Sequence, residues 1–151
     1  MRRARRQPRT WLGAGEAAVY FAFSQLGFLL PSGFLVSRWV AHALEAPSSA
    51  RHDAAEARRL ARITRAVALR WPLESRCLQR SLVLCWMLRR RGLGGRMQIG
   101  VRRTADGVSA HAWVADDGVI INDDEAHCAA FSVLEPTTAR AAVAAGMEYP
   151  P

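Results

Sequence analysis

The spacing of hydrophobic residues divides the chain into a helical part and a part with strand periodicity. Up to about residue 91 apolar side chains recur every three or four positions, and from residue 97 they recur every second position. Glu16, Ser24 and Gln25 interrupt the first apolar stretch, which at about 17 residues (14–30) is short for a membrane span. A second stretch covers residues 34–44. We predict two helices here, buried in a core or lying against a membrane, with the core favoured.

A third helix is indicated between Asp53 and Pro72. Asp53 followed by Glu56 has the spacing of a capping box at a helix start, and proline ends a helix because it lacks an N–H donor. Arginines occupy the other faces of this helix. Its predicted buried stripe has steps of three and four residues and consists of Leu60, Ile63, Val67 and Trp71.

A fourth, central helix is predicted from Ser75 to about Arg91. Ser75 can cap the first turn, and Gly92 has the conformational freedom that commonly ends a helix. Arginines at positions 89, 90 and 91 fall in the last turn, where positive charge complements the helix dipole. The apolar side of this helix is formed by Leu78, Leu82, Cys85, Trp86 and Leu88.

Three strands are predicted after the helices, at residues 97–102, 108–115 and 119–122. Short turns join them, so we expect an antiparallel meander. This order of elements indicates an α+β fold in which the central helix packs on a small antiparallel sheet. We divide the chain into an arginine-rich arm with apolar helices at residues 1–55 and a core at residues 56–151.

Positive charge is the most unusual feature of the composition. The net charge is +8, and all 21 basic residues are arginine, five of them at positions 2, 3, 5, 6 and 9. A solvated arm is the favoured interpretation of this N-terminal cluster. An anionic partner, such as nucleic acid, an acidic peptide or a membrane surface, is the alternative.

The cysteine pattern argues against a disulfide framework and against a zinc knuckle. Cys77, Cys85 and Cys128 are odd in number and form no CxxC pair, and the adjacent His127 and Cys128 have no matching second pair. We therefore predict no metal and no cofactor. A reducing, cytoplasmic location is the simplest setting, and membrane association through the apolar helices is the alternative.

Cys77 is the candidate nucleophile because it lies at the predicted start of the central helix. Free backbone N–H groups and the positive end of the helix dipole favour the thiolate there, and Arg76 and Arg80 add positive charge. The Cys77 amide is also the candidate donor to an oxyanion, for which no side chain can be assigned. Cys85 lies in the middle of the apolar side, so we interpret it as a core residue.

His111, in the second predicted strand, is the candidate general base. Its acidic partner depends on the turn at residues 116–118. A three-residue turn places Asp123 opposite His111 across the two strands, whereas a two-residue turn places Asp124 there. The chosen carboxylate would orient the imidazole toward Cys77.

We favour the three-residue turn. It pairs Ala115 with Val119 and packs Trp113 on Ile121 across the strands. The sequence therefore predicts Asp123 as the partner of the histidine.

Five short segments occur in a fixed order: residues 77–82 (CLQRSL), 88–92 (LRRRG), 99–102 (IGVR), 110–114 (AHAWV) and 121–123 (IND). Together they resemble the transglutaminase-like leader peptidases of lasso-peptide biosynthesis. The resemblance is to the stand-alone, split form without a fused leader-recognition domain, and it extends over about residues 60–135.

The resemblance implies a papain-like or transglutaminase-like cysteine peptidase core with Cys77 as nucleophile, His111 as base and Asp123 as acid. The implied activity is that of an endopeptidase that removes the leader from a ribosomally made precursor through a thioester intermediate. The implied partners are the precursor peptide, a separate leader-recognition protein and an ATP-dependent, asparagine-synthetase-like cyclase. No nucleic acid is expected.

Two other functions remain open from the sequence. A transglutaminase-type acyl transferase would use the same three residues but pass the acyl group to an amine. A non-enzymatic, arginine-rich module that binds membrane or nucleic acid would make the three residues coincidental.

Overall fold

The structure is a computed structural model that describes residues 8–30, 34–45, 47, 50–73 and 75–146. Residues 1–7 of the predicted arm lie outside this description. Helices come first and a four-stranded sheet comes second, which confirms the α+β class. The papain-like part of the fold prediction and the boundary at residue 55 stay predictions.

Four helices make up the N-terminal part of the chain: α1 (Pro8–Leu29), α2 (Phe34–Leu44), α3 (Ala54–Ala68) and α4 (Cys77–Arg89). Helix α4 is central, since α1 and α3 pack on it from one side and the sheet packs on it from the other. None of the described helices combines the length and the apolar character that crossing a membrane requires.

The start of α3 is as predicted, whereas the start of α4 is not. The Asp53 carboxylate accepts a hydrogen bond from the amide of Glu56 at 3.0 Å, which satisfies one of the free donors of the first turn of α3. Helix α4 begins one residue later than Ser75 could cap, with Arg76 at the cap position and no side-chain capping bond. The prediction that Ser75 caps this helix is therefore wrong, and Cys77 is the first helical residue.

The end of α4 follows the predicted glycine. Gly92 has a φ of 63°, a left-handed conformation that glycine adopts without strain. Its amide donates to the carbonyl of Arg89, and the amide of Leu93 donates to the carbonyl of Leu88. This pair of bonds is the Schellman pattern, so the chain leaves the helix with its last carbonyls satisfied.

The sheet has the order β3-β2-β1-β4 and is antiparallel throughout. Its strands are β1 (Arg96–Thr104), β2 (Gly107–Asp116), β3 (Val119–Ile120) and β4 (Ser132–Val133). A short helix α5 (Glu125–Ala129) precedes β4, and α6 (Pro136–Ala144) follows it. The predicted meander of three strands is confirmed, although β3 is shorter than expected.

The turn between β2 and β3 differs from the prediction. Asp116 pairs with Val119, so the turn consists of two residues, Asp117 and Gly118. Both have positive φ angles, 47° and 79°, as in the type I′ turn, whose twist matches that of the flanking strands. Asp117 tolerates this conformation better than most residues do. Because Asp116, and not Ala115, pairs with Val119, the prediction of a three-residue turn is wrong.

The inner face of β2 joins the main core. Ala110, Ala112 and Val114 are buried against α4, and the Ser81 hydroxyl of that helix donates to the carbonyl of Ala112 at 3.0 Å. Only small side chains allow a helix to approach a strand this closely. Trp113 belongs instead to a second buried cluster on the other side of the sheet.

Replacing Gly100 with alanine is expected to lower the free energy of unfolding by about 1–3 kcal/mol, the usual cost of overpacking a core. A Cβ at this position would lie 2.8 Å from Cβ of Phe131 and 2.8 Å from the Trp113 ring. The matched control is Gly15→Ala in α1, where no atom lies within 4 Å of the added Cβ. We expect the control to gain up to about 1 kcal/mol through helix propensity. Urea denaturation measures both, and equal stability of the two variants would contradict the packing argument.

Candidate active site

Cys77 lies at the first position of α4, where the backbone offers unused hydrogen-bond donors. The first intrahelical bond of this helix runs from the amide of Arg80 to the carbonyl of Arg76 at 3.1 Å. The amides of residues 77, 78 and 79 precede it and have no acceptor within the helix. The Cys77 side chain itself is only 3% exposed. The Cys77 thiol is therefore carried by a residue whose own amide, like the next two amides of the chain, has no acceptor within the helix.

His111 is held by a short hydrogen bond to a carboxylate. Its Nε2 lies 2.6 Å from Oδ2 of Asp123, which leaves Nδ1 as the ring nitrogen available to another group. Burial lowers the pKa of His111, but the hydrogen bonds and negative charges of Asp123 and Cys77 outweigh it and raise that pKa to about 9. The histidine therefore contacts a carboxylate and shares a cavity with the cysteine.

Asp123 reaches His111 because the chain leaves the sheet just before it. The amide of Ile121 still donates to the carbonyl of Val114, but the amide of Val114 donates to the side-chain oxygen of Asn122 at 2.7 Å. The side-chain oxygen of Asn122 thus accepts the hydrogen bond that a backbone carbonyl of β3 would otherwise accept. The ladder of backbone hydrogen bonds between β2 and β3 ends there. The predicted contact between His111 and Asp123 is present, although the predicted register is wrong.

The two neighbouring aspartates have separate roles. Burial raises the pKa of Asp123, but its hydrogen bond with His111 and the amide of Asp124 outweigh this effect and lower it below its usual value. Asp124 is exposed and caps α5 by accepting from the amide of His127 at 3.0 Å. If β3 continued in the observed register, Asp124 would lie opposite His111. Because β3 ends early and Asp124 caps α5 instead, Asp123 is the carboxylate that contacts His111.

An open cavity of about 430 Å³ contains all three predicted site residues, Cys77, His111 and Asp123. Helices α3 and α4 contribute Arg65 and Arg80 to its wall. Neither arginine forms an ion pair with a carboxylate of the described residues. The cavity therefore has arginine side chains on its helical side and the carboxylates of the segment after β3 on the other, and Cys77 lies in its wall although it is only 3% exposed.

Aromatic rings surround His111, and of these the strand period indicates only Trp113, which lies two positions further along β2. Phe131 and Trp113 lie with ring centroids 5.3 and 5.8 Å from it, and the His127 ring meets it edge-on at 4.8 Å. Gly100, which faces His111 across β1 and β2, leaves the space that the two large rings occupy. These neighbours fix the imidazole plane, and no local pattern in the sequence indicates Phe131 or His127.

Cys85 and Cys128 are in different surroundings. Cys85 is fully buried in the core, and this burial raises the pKa of its thiol to about 12, in agreement with its interpretation as a core residue. Cys128 lies unexpectedly close to the site. Among the described residues, His111, Asp123 and Cys128 form a trio of metal-capable side chains, with ligand atoms within 4.8 Å of one another. Burial, with the charge of Asp123, raises the pKa of Cys128 to about 12, so this thiol keeps its proton.

Gln79 and Trp71, two N–H-bearing side chains near Cys77 in sequence, face α1. The Gln79 side-chain amide donates to Ser24 at 2.8 Å and to Gln25 at 3.0 Å. The Trp71 ring packs on Phe21 with 5.6 Å between ring centroids. Both side chains are thus committed to the packing of α1, and backbone amides of α4 remain the candidate oxyanion donors.

Comparison with known families agrees with this geometry. A family model described as the transglutaminase-like superfamily matches residues 28–135, a segment that contains Cys77, His111 and Asp123. No match was found among curated proteins or among solved structures. The superfamily usually contains cysteine-dependent enzymes. Because the match spans 108 of the 151 residues, the chain belongs to the transglutaminase-like superfamily.

Proposed function

We propose that this protein is a cysteine endopeptidase that removes the leader peptide from a ribosomally synthesised lasso-peptide precursor. The observation that carries the catalytic part is the 2.6 Å bond between His111 and Asp123, made in an open cavity that also contains Cys77. The lasso-peptide part rests on the five sequence segments that resemble the leader peptidases of that pathway.

The first half of the reaction forms a thioester. The Cys77 thiol gives its proton to Nδ1 of His111, and the thiolate attacks the scissile carbonyl carbon. Asp123 accepts from Nε2 and stabilises the imidazolium. The hydrogen bond and charge of Asp123 raise the pKa of His111, so they favour the imidazolium until the leaving amine takes its proton. Free amides at the start of α4 donate to the oxygen that becomes negative during the attack.

The second half releases the leader. His111, now neutral, takes a proton from water, and the resulting hydroxide equivalent attacks the thioester carbonyl. The C–S bond breaks, the thiolate regains a proton from His111, and the leader leaves with a free carboxylate. The core peptide has already left with a free N-terminal amine. No bound metal or nucleotide enters either half as proposed.

The proposal includes three partners. A separate small recognition protein presents the leader, since the resemblance is to the split form of the enzyme. The core's new N-terminus then goes to an ATP-dependent, asparagine-synthetase-like cyclase, which joins it to an acidic side chain. Cytoplasmic location belongs to the same proposal.

Mass spectrometry of the products tests the reaction type. The protein is incubated with a lasso-peptide precursor and with the recognition protein that presents its leader. We expect two fragments, a leader with a free carboxylate and a core with a free amine. A cross-link between the leader carbonyl and an added amine would contradict hydrolysis and identify an acyl transferase. An unchanged precursor would contradict both enzymatic functions.

A further inference from the structure

The outward face of α1 carries no polar or charged side chain along most of its length. Between residues 11 and 30 every exposed position is apolar. The large side chains are exposed to an unusual extent: Leu12 is 74% exposed, Val19 65% and Leu26 63%. We call this surface the α1 face; its residues are Trp11, Leu12, Gly15, Val19, Ala22, Phe23, Leu26, Phe28, Leu29 and Leu30.

The start of α2, a helix that packs on α1, also exposes large apolar side chains. Phe34 is 60% exposed and Leu35 is 38% exposed. Phe23, a residue of the α1 face, has its ring centroid 4.9 Å from that of Trp39. The Trp39 ring in turn meets the Trp86 ring of α4 edge-on, with 5.4 Å between centroids. This aromatic stack supports the helix on the core. A contiguous apolar surface of this kind marks an interaction site.

The charges near the α1 face are almost all positive. Glu16 is the one acidic residue of α1 and α2, and Arg91 holds it with two hydrogen bonds of 2.6 and 3.0 Å. Arg38 is exposed and lies over the Phe34 ring at 5.7 Å. The sequence also places five arginines at positions 2–9, next to the start of the helix. An apolar helix face, with the exposed Arg38 on the neighbouring helix and an arginine-rich segment before it in the sequence, is therefore presented to the solvent.

We propose that the α1 face binds the surface of an anionic lipid bilayer, with α1 lying in the plane of the interface. A helix in this position buries its apolar face at the boundary between headgroups and acyl chains, while basic residues contact anionic headgroups. The proposal does not rest on the proposed enzymatic function, because none of the residues of the α1 face lines the cavity that contains Cys77.

The chemistry of the face favours a bilayer over a partner protein. Interfaces between proteins carry roughly one hydrogen bond per 100–200 Å². Among the exposed positions 11–30, the indole N–H of Trp11 is the one side-chain group that could form such a bond. Acyl chains need no such partners, and the arginines match the negative charge of the headgroups.

Vesicle flotation with the full-length chain tests the proposal. The probes are vesicles of phosphatidylcholine alone and of phosphatidylcholine with phosphatidylglycerol at a ratio of about 3:1, since anionic lipid adds to the binding strength. We expect flotation with the anionic vesicles, weaker flotation with the neutral ones, and release as salt rises. The variant Val19→Glu/Leu26→Glu is expected to reduce binding at least tenfold. Val108→Glu, at a site 66% exposed in β2, is the control and keeps full binding.

Circular dichroism checks that each variant is folded. We expect the fold to be retained, because the three substituted positions are highly exposed. Absence of flotation of the wild-type chain would overturn the proposal, and so would equal flotation of the double variant. If light scattering showed a wild-type dimer that the double variant loses, without vesicle binding, a second copy would be the occupant and the proposal would be wrong. Loss of binding to the recognition protein alone would overturn it in favour of a protein partner.

Discussion

Replacement of Cys77 with alanine is expected to abolish cleavage of the precursor, with kcat lower by roughly 10⁴-fold or more, as for loss of the nucleophile in other covalent enzymes. Alanine removes the only atom that forms the thioester and leaves the backbone amides of α4 in place. Cleavage is measured by mass spectrometry with the recognition protein present. The folded state of the variant is checked by its circular dichroism spectrum.

Two cysteine variants serve as controls for this prediction. Cys85→Ala removes a fully buried thiol of the core and is expected to retain activity at temperatures where the variant is folded. Cys128→Ala removes the second thiol near His111, and its activity distinguishes which of the two neighbours is the nucleophile. Intact cleavage by Cys77→Ala, or loss of cleavage only in Cys128→Ala, would end the assignment of Cys77.

Alkylation gives an independent readout that needs no substrate. Iodoacetamide followed by peptide mapping is expected to modify Cys77 faster than Cys85 at neutral pH. Burial raises the pKa of Cys85 to about 12, so almost no thiolate forms there. Equal rates at the two cysteines would favour a non-enzymatic binding module, because the start of α4 would then confer no reactivity.

Replacement of Asp123 with asparagine is the second large effect that we expect. Asparagine keeps the shape of the side chain but cannot stabilise an imidazolium by charge, and it permits the wrong tautomer of His111. A reduction of kcat by about 10²–10⁴-fold follows from losses of this kind in other catalytic triads. Asp124→Asn is the matched control, since Asp124 caps α5 and does not bond to His111. A larger loss in Asp124→Asn than in Asp123→Asn would contradict the pairing.

The pH profile separates a direct role of Asp123 from a structural one. His111 must be protonated when the amine leaves, so kcat/KM falls as the pH rises through the pKa of His111. In the wild type this pKa is raised to about 9, and Asp123 is one of the causes. Loss of the carboxylate lowers it, so the alkaline limb of Asp123→Asn is expected at a lower pH than that of the wild type. An unmoved limb would contradict the role of Asp123.

The sequence alone was sufficient for the local elements and for the candidate residues that depend on them. Helix periodicity and the Asp53 cap predicted α3, and Gly92 predicted the end of α4, because these signals act between residues a few positions apart. Period-two alternation predicted β1 and β2. Cys77 at a helix start and His111 in a strand follow from the same local rules.

The choice of Asp123 shows the limit of those rules. The type I′ turn at Asp117 and Gly118 overturned the predicted register. Asp123 nevertheless meets His111, because Asn122 turns the chain out of the sheet. A strand register is set by the turn, but the path of the chain after the strand ends is set by contacts with other elements. Here the sequence argument reached the right residue for a wrong reason.

The tertiary structure alone decided what surrounds the site and what faces the solvent. The segment that follows β3 brings Phe131, His127 and Cys128 to His111. No pattern within this segment indicates that it lies beside His111, because only its packing against β1 and β2 places it there. The exposed face of α1 could not be predicted from the sequence either. Both faces of this helix are apolar, so the period of apolar residues does not distinguish the buried face from the exposed one. Local propensity acts over a few residues, whereas burial depends on which distant elements cover a surface. That is why the place of Cys77 at a helix start and of His111 in a strand could be predicted from the sequence, and why the surroundings of the site and the α1 face required the fold.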